Sequence, residues 1–321
     1  MPRLQPAAVF LGLCWLVGCS SSPTSPTTRL TITCPISIDA QTPDDRPVAV
    51  SFVVPTAQGG SPPVKVTCSR ASGAEYPKGA TTVTCTAIDA SDSAASCTFT
   101  VTVTSVPRIA LTRLLAFGDS ITAGTISPAP MLRLFAGPAH SYPFKLNDLL
   151  ATRYTQQTFM MVNAGVPGEL ASDGGVRRLP SELMANTPEV LLLMEGTNDL
   201  FVYQEAGIPI GIAALEQMVQ DGRRAGARVF LATIPPQRPG GARDRVARII
   251  PQLNDEVRAL AIRQSVVLVD VFAAIEPDLP HLIGIDDLHP TEEGNQVIAR
   301  TFFAAIQANF ETIQTAAFHA R

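Results

Sequence analysis

The sequence predicts two folded units in series: a small all-β sandwich, then a three-layer α/β domain built on a parallel sheet. Three observations lead there. The run Thr98-Phe99-Thr100-Val101-Thr102-Val103-Thr104 alternates threonine with apolar side chains, the period of a strand buried on one face, and no helical period occurs between Leu30 and Val106. From Arg108 onward, short apolar runs alternate with stretches of helical period. Finally, beyond residue 19 the cysteines are Cys34, Cys68, Cys85 and Cys97, all inside the first unit.

The chain has 321 residues, more than one domain usually holds, and is 46% hydrophobic and only 16% charged, which suits packed globular units rather than disorder. A formal charge of −4 gives no electrostatic case for nucleic acid as a partner. Arg238, Arg243, Arg245 and Arg248 are interleaved with Asp244 and read as a solvated surface.

In chain order, the N-terminus reads as a secretory signal over residues 1–18. Arg3 supplies a thin positive region, and Ala7 to Val17 is apolar but too short to span a bilayer comfortably. It ends in Leu16-Val17-Gly18-Cys19, which resembles the lipobox of bacterial lipoproteins. That resemblance implies cleavage before Cys19, a diacylglycerol on its thiol and attachment to the cell envelope; Ser20 beside it fits outer-membrane sorting. The alternative is an ordinary signal peptide and a secreted protein. Residues 19–28 follow as a polar, Pro-broken tether with nothing to bury.

Residues 29–107 read as the sandwich. Its strands are expected at Leu30–Thr33, Val48–Val54, Val64–Thr67, Thr82–Thr84 and Thr98–Thr104, with turns at 59–63 and 77–79. Four cysteines in an exported module suggest two disulfides with three possible connectivities, and the absence of any Cys-x-x-Cys pair speaks against zinc. The stretch from Tyr76 to Ala87, followed by Cys97-Thr98-Phe99-Thr100-Val101, resembles the hyalin-repeat, immunoglobulin-like modules, which are usually spacers or adhesive units. The expected pairs are Cys68 with Cys85, bracketing a hairpin, and Cys34 with Cys97, tying the first strand to the last.

Residues 108–315 read as the α/β domain. Strands are expected at Arg113–Phe117, Phe159–Asn163, Val190–Met194, Arg228–Thr233 and Val266–Val271, the third continuously apolar as a strand covered on both faces should be. Ile212 to Arg224 carries a helical stripe of Ile212, Leu215, Met218 and Val219, which reads as core. In such sheets ligands sit beyond the carboxyl ends of the strands.

Four segments fall there: Gly118-Asp119-Ser120-Ile121, Asn163-Ala164-Gly165-Val166-Pro167-Gly168, Gly196-Thr197-Asn198-Asp199 and Asp286-Asp287-Leu288-His289-Pro290. In this order, between Leu111 and Phe310, they resemble the SGNH hydrolase family, also called GDSL esterases and lipases. The resemblance implies Ser120 as nucleophile, His289 as general base, Asp286 as the carboxylate behind it, and an oxyanion hole from the N–H groups of Ser120 and Gly168 and the amide of Asn198.

Chemistry supports these types independently. A serine hydroxyl needs a positioned base, a histidine needs a carboxylate to hold its tautomer, and charge developing on the carbonyl oxygen needs hydrogen-bond donors, of which an asparagine amide is an uncharged one. His140 and His319 have no carboxylate close in sequence. His281, three residues after Asp278, rivals His289 on spacing but lacks the following proline. Asp287 competes with Asp286, Gly165 competes with Gly168, and Asp119 reads as shaping the turn. Ile121 stands where the family name implies leucine, and there is no Gly-x-Ser-x-Gly elbow at Ser120.

The expected function is carboxylic-ester hydrolysis through an acyl-enzyme, with no metal or organic cofactor. The substrate is an acyl lipid or an acetylated carbohydrate; a carbohydrate O-acetylesterase is one alternative, a lipase, lysophospholipase or thioesterase another, and an adhesive lipoprotein with an inactive hydrolase domain a third. Met131, Leu132, Leu134 and Phe135, between Thr125 and Ser141, form either an acyl-binding wall or core cover, and Phe201 to Ile210 is expected at the rim.

Overall fold

Alternation along the chain decides the first unit. In the computed structural model, which describes residues 28–43, 45–127 and 135–312, strands β1 (Ile38–Thr42), β2 (Lys65–Cys68), β3 (Gly79–Ile88) and β4 (Ala94–Ser105) form a four-stranded sheet in the order β1-β4-β3-β2. Val83, Cys85 and Ala87 on β3 and Phe99, Val101 and Val103 on β4 point to one face and are buried. Two short antiparallel pairs, Thr31–Ile32 with Ala57–Gln58 and Val48–Ala49 with Glu75–Tyr76, supply a second layer, whose Ile32, Val48 and Tyr76 pack onto that face.

Disulfides join Cys68 to Cys85 and Cys34 to Cys97, with Cα separations of 4.0 and 5.6 Å. Cys68 and Cys85 are direct cross-strand partners on β2 and β3, and Cys85 in turn faces Cys97 on β4.

The expected strand over Val48–Val54 is corrected: pairing stops at Ala49. Ser72 accepts the Phe52 N–H at 2.8 Å and donates to the Phe52 carbonyl at 2.6 Å, so a side chain takes the bonds a ladder would use. Val53 is left 83% exposed. The strand at Ile38–Thr42 is absent from the sequence reading.

The second unit is three-layered. Strands β5 (Arg113–Gly118), β6 (Met160–Gly165), β7 (Val190–Met194), β8 (Arg228–Ala232) and β9 (Val267–Val269) lie in the order β6-β5-β7-β8-β9, all parallel. All five residues of β7 are buried, as its unbroken apolar run requires.

The helices gather in two groups. In one, α2 (Tyr142–Arg153) packs on α7 (Glu292–Phe310), with the Tyr142 and Phe302 rings stacked at 5.0 Å. In the other, α5 (Gly207–Arg224) packs on α3 (Val176–Asn186) and α6 (Ile250–Gln264). Gly222 brings α5 close to the sheet, because a Cβ there would meet Leu191 and Val229 at under 3 Å. The short helices α1 (Ser120–Ala123) and α4 (Thr197–Tyr203) leave β5 and β7 directly. The chain reverses its direction of winding between these two strands, the place where an open α/β sheet leaves a crevice.

Among the described residues no helix is long and apolar enough to cross a membrane. The expected signal, Cys19, most of the tether, Met131, Leu132, Leu134 and His319 lie outside the described residues.

Candidate active site

Three neighbouring strands end at one level, because Gly118 of β5 is in register with Gly165 of β6 and Met194 of β7. The segments beginning at Asp119, Val166 and Glu195 therefore leave the sheet side by side.

Ser120 opens α1. Asp119 caps that helix, its carboxylate accepting the Ile121 N–H at 2.9 Å. A Cβ on Gly118 would lie 2.1 Å from Thr122 Oγ1, and one on Gly165 2.2 Å from the Ala123 nitrogen, so both glycines let the sheet close tightly around this turn. Asn163 braces it further. Its amide donates to the Thr122 carbonyl at 2.8 Å while its oxygen accepts the Gly165 N–H at 3.0 Å.

His289 comes from the far end of the domain. Ser120 Oγ lies 2.9 Å from His289 Nε2, and His289 Nδ1 lies 2.5 Å from Asp286 Oδ2. The other oxygen, Asp286 Oδ1, accepts the backbone N–H of His289 at 3.0 Å and of Leu288 at 3.2 Å. Burial pushes the Asp286 carboxyl up, but the hydrogen bonds from the His289 side chain and backbone outweigh it and hold the group below the usual carboxylate range. The loop closes on itself through Gly284 N–H to the His289 carbonyl at 2.8 Å, and Ser127 Oγ accepts the Asp286 N–H at 3.2 Å. Asp286 does not cap the helix that follows: Thr291 does, accepting the Gly294 N–H at 3.0 Å.

The rival histidines fall elsewhere. His281 pairs with Asp278 at 2.5 Å, but its side chain is 76% exposed. His140 meets Glu292 at 2.8 Å, a carboxylate distant in sequence.

Gly168 and Asn198, the expected donors, lie on two neighbouring segments. Pro167 and Gly168 occupy the middle of a turn closed by the Glu169 N–H to the Val166 carbonyl at 3.2 Å, and Gly168 takes φ +78°, the conformation a type II turn requires at that place. Asn198 sits in the first turn of α4 and donates one amide hydrogen to the Glu169 carbonyl at 2.8 Å, which leaves the second for another acceptor. The two candidate donors are thus tied to each other. Gly165, the competitor, has its N–H occupied by Asn163.

Sequence reasoning missed the support beneath these residues. Asp199 is fully buried and accepts the N–H groups of Ala171 and Ser172 at 2.8 and 3.0 Å. Arg178 pairs with Glu169, donates to the Ala164 carbonyl at 2.9 Å and lies 4.1 Å over the Phe117 ring. Only Asn163 had a local signal, an Asx side chain reaching two residues ahead; the hydrogen-bonded partners of Asp199 and Arg178 are separated from them in sequence by 9 to 28 residues, and Phe117 lies further still from Arg178.

Two carboxyls in this region are unusual. Burial raises Asp119 to about 6, against the Ile121 hydrogen bond and the His289 charge. Burial, reinforced by the charges of Asp119, Glu169 and Asp199, raises Glu195 well above the ordinary range, and neither Glu195 oxygen has a hydrogen-bond partner among the described residues.

The surface reading of the four arginines is corrected in part. Arg245 and Arg248 are exposed and face Glu205 and Asp244. Arg238 instead donates to the carbonyls of Pro280 and Ile283, and Arg243 lies 4.2 Å over the Phe201 ring. Phe201, Val202 and Tyr203, of the segment expected at the rim, are exposed on α4.

With this geometry in hand, similarity to known proteins is decisive. The family model of the GDSL-like lipase/acylhydrolases matches residues 116–297, more than half of the chain. The chain belongs to the GDSL-like lipase/acylhydrolase family. As a member of that family it is a carboxylic ester hydrolase. The HYR domain model matches residues 26–103, the first unit. An acetylxylan esterase of Geobacillus stearothermophilus is 26% identical over 63% of this chain and 96% of its own length. An arylesterase of Vibrio mimicus is 28% identical over 58% of this chain and 84% of its own. Among solved structures, an acetyl-xylooligosaccharide esterase variant from Geobacillus superposes with a TM-score of 0.51 at 25% identity, covering 64% of this chain and 97% of that one.

Proposed function

We propose that the GDSL-family domain cleaves esters through an acyl-enzyme on Ser120. The observation that carries this is the unbroken line from Ser120 Oγ through both nitrogens of His289 to a carboxylate held ionised. His289 Nε2 takes the Ser120 proton as Oγ adds to the ester carbonyl, and returns it to the departing alcohol. Asp286 holds the proton on Nδ1 and stabilises the imidazolium. The N–H groups of Ser120 and Gly168 and the Asn198 amide receive the oxyanion. Water then repeats the sequence on the acyl-enzyme, releasing the acid and restoring Ser120.

A second, finer reading is favoured by the alcohol side. Gln237 carries a buried amide whose nitrogen and oxygen have no hydrogen-bond partner among the described residues, on the segment that follows β8 at the ligand end of the sheet. Such a group suits a hydroxyl-rich alcohol better than a lipid. The similarity to an acetylxylan esterase points the same way, so we place acetylated carbohydrate ahead of acyl lipid as substrate. The HYR module would act as spacer, with Cys19 as the lipid anchor to the envelope and 1–18 removed.

The test is turnover of 4-nitrophenyl acetate by the protein and by S120A, with a fluorophosphonate label read by mass spectrometry. Activity abolished in S120A and label on Ser120 are expected; undiminished turnover in S120A overturns the assignment.

A further inference from the structure

The Arg243 side chain joins two parts of the site that are far apart in sequence. Its guanidinium carbon sits 4.2 Å from the centre of the Phe201 ring, and Phe201 lies one helical turn beyond Asn198 on α4. On its other flank, the backbone leading to Arg243 is pinned to the loop that holds Asp286. The Arg238 N–H donates to the Asp287 carbonyl at 3.2 Å, and the Ala242 N–H to Asp287 Oδ2 at 3.2 Å. Gly241 makes that approach possible, since a Cβ there would fall 1.9 Å from Asp287 Oδ2.

The guanidinium is held yet unpaired. The side chain is half-buried, its Nη1 is shut from solvent without a hydrogen-bond partner, and no carboxylate lies within 4 Å of it among the described residues. Its neighbours differ. Arg245 and Arg248 have Glu205 and Asp244, and Arg238 has carbonyls. Asp286 and Asp287 act on Arg243 through their charge only. A desolvated cationic donor without an acceptor is unfavourable, and an oxygen that reaches it relieves the loss.

We propose that Arg243 determines specificity for the alcohol part of the ester, binding an anionic oxygen, a carboxylate in the first place, on the group that leaves. The side is set by chemistry: His289 delivers its proton to the departing alcohol, and Arg243 borders the loop that holds His289 and Asp286. A planar guanidinium kept flat against Phe201 presents its edge to a carboxylate with little ordering left to do. The negative potential of Asp286 and Asp287 opposes the anion, which keeps the effect near the low end for a charge-assisted hydrogen bond. This inference rests on the reading of Ser120 as nucleophile.

Paired substrates separate the two claims: 4-acetoxybenzoate, and its methyl ester, which has the same shape without the charge. For the wild type, R243K and R243Q, kcat/KM is measured on both. The anionic-to-neutral ratio falls about tenfold in R243Q, the order expected for losing one charge-assisted hydrogen bond. R243K, which keeps the charge but not the planar fork, falls between. A ratio equal within about twofold in all three proteins overturns the inference, while turnover of neither ester by the wild type overturns the esterase reading itself. Should R243Q fail to fold, inhibition of neutral-ester turnover of the wild type by benzoate and by benzamide decides instead. Tighter inhibition by benzoate supports the site, and equal inhibition removes it.

Discussion

Replacing Asp286 by asparagine tests the hydrogen-bonded line at its most constrained point. The carboxylate has two distinct faces: Oδ1 accepts two backbone N–H groups, from Leu288 and His289, and Oδ2 faces His289 Nδ1 at 2.5 Å. An asparagine can satisfy the backbone only by placing its carbonyl oxygen at the Oδ1 position, since its NH2 there would oppose two donors. Its NH2 then points at Nδ1 and donates to it. The ring must carry its proton on Nε2, which directs a hydrogen at Ser120 Oγ and leaves no base for the hydroxyl proton. Loss of the correct tautomer at a triad of this kind lowers kcat by about 10⁴-fold, or roughly 5 to 6 kcal/mol. Asp286→Ala does not force the tautomer, so it loses less activity; it strands both N–H groups and loses about 1 to 3 kcal/mol of stability. The assay is kcat/KM on 4-nitrophenyl acetate beside a urea unfolding curve for each variant. D286N within tenfold of the wild type refutes the reasoning.

Three further outcomes follow from the geometry. H281A leaves kcat/KM within about twofold, because the His281–Asp278 pair is exposed and Ser120 Oγ faces His289 instead; a loss as large as that of H289A refutes His289 as the base. G165A places a Cβ 2.2 Å from the Ala123 nitrogen and destabilises the domain by about 1 to 3 kcal/mol, whereas Gly168 has open space and G168A meets only the strain of its positive φ, about 1 kcal/mol; equal unfolding midpoints for the two variants contradict this. Glu195 keeps a proton in the folded state that the unfolded chain releases, so its folded pKa is raised and stability falls as pH rises from the ordinary carboxylate range toward that raised value. E195Q removes this decline, seen as a flatter dependence of melting temperature on pH above the ordinary carboxylate range, and an unchanged slope refutes the assignment of a buried neutral carboxyl.

How far the sequence reaches is visible in particular residues. The apolar run of β7, the threonine alternation of β4 and the helical stripe of α5 each carry their own period, so their burial was legible without a structure. Local chemistry also offered the spacing of Asp286 and His289, which requires only one loop of chain. For Cys68 and Cys85 the cysteine count left three connectivities open; the hairpin they bracket suggested the pair, and the register of β2 and β3 places them opposite each other.

Contacts across long separations were decided only by the tertiary structure. Ser120 and His289, 169 positions apart, come within 2.9 Å because the turn after β5 and the loop before α7 meet at one edge of the sheet. The same closure gives the Gly165 N–H an acceptor in the Asn163 side chain. It also separates Arg243 from its neighbours: four arginines with similar surroundings in the sequence meet different partners once the chain folds over Phe201 and Asp287. Period is a property of consecutive residues and survives in one dimension. A hydrogen-bond partner far along the chain depends on where two distant segments come to rest, and no local pattern encodes that.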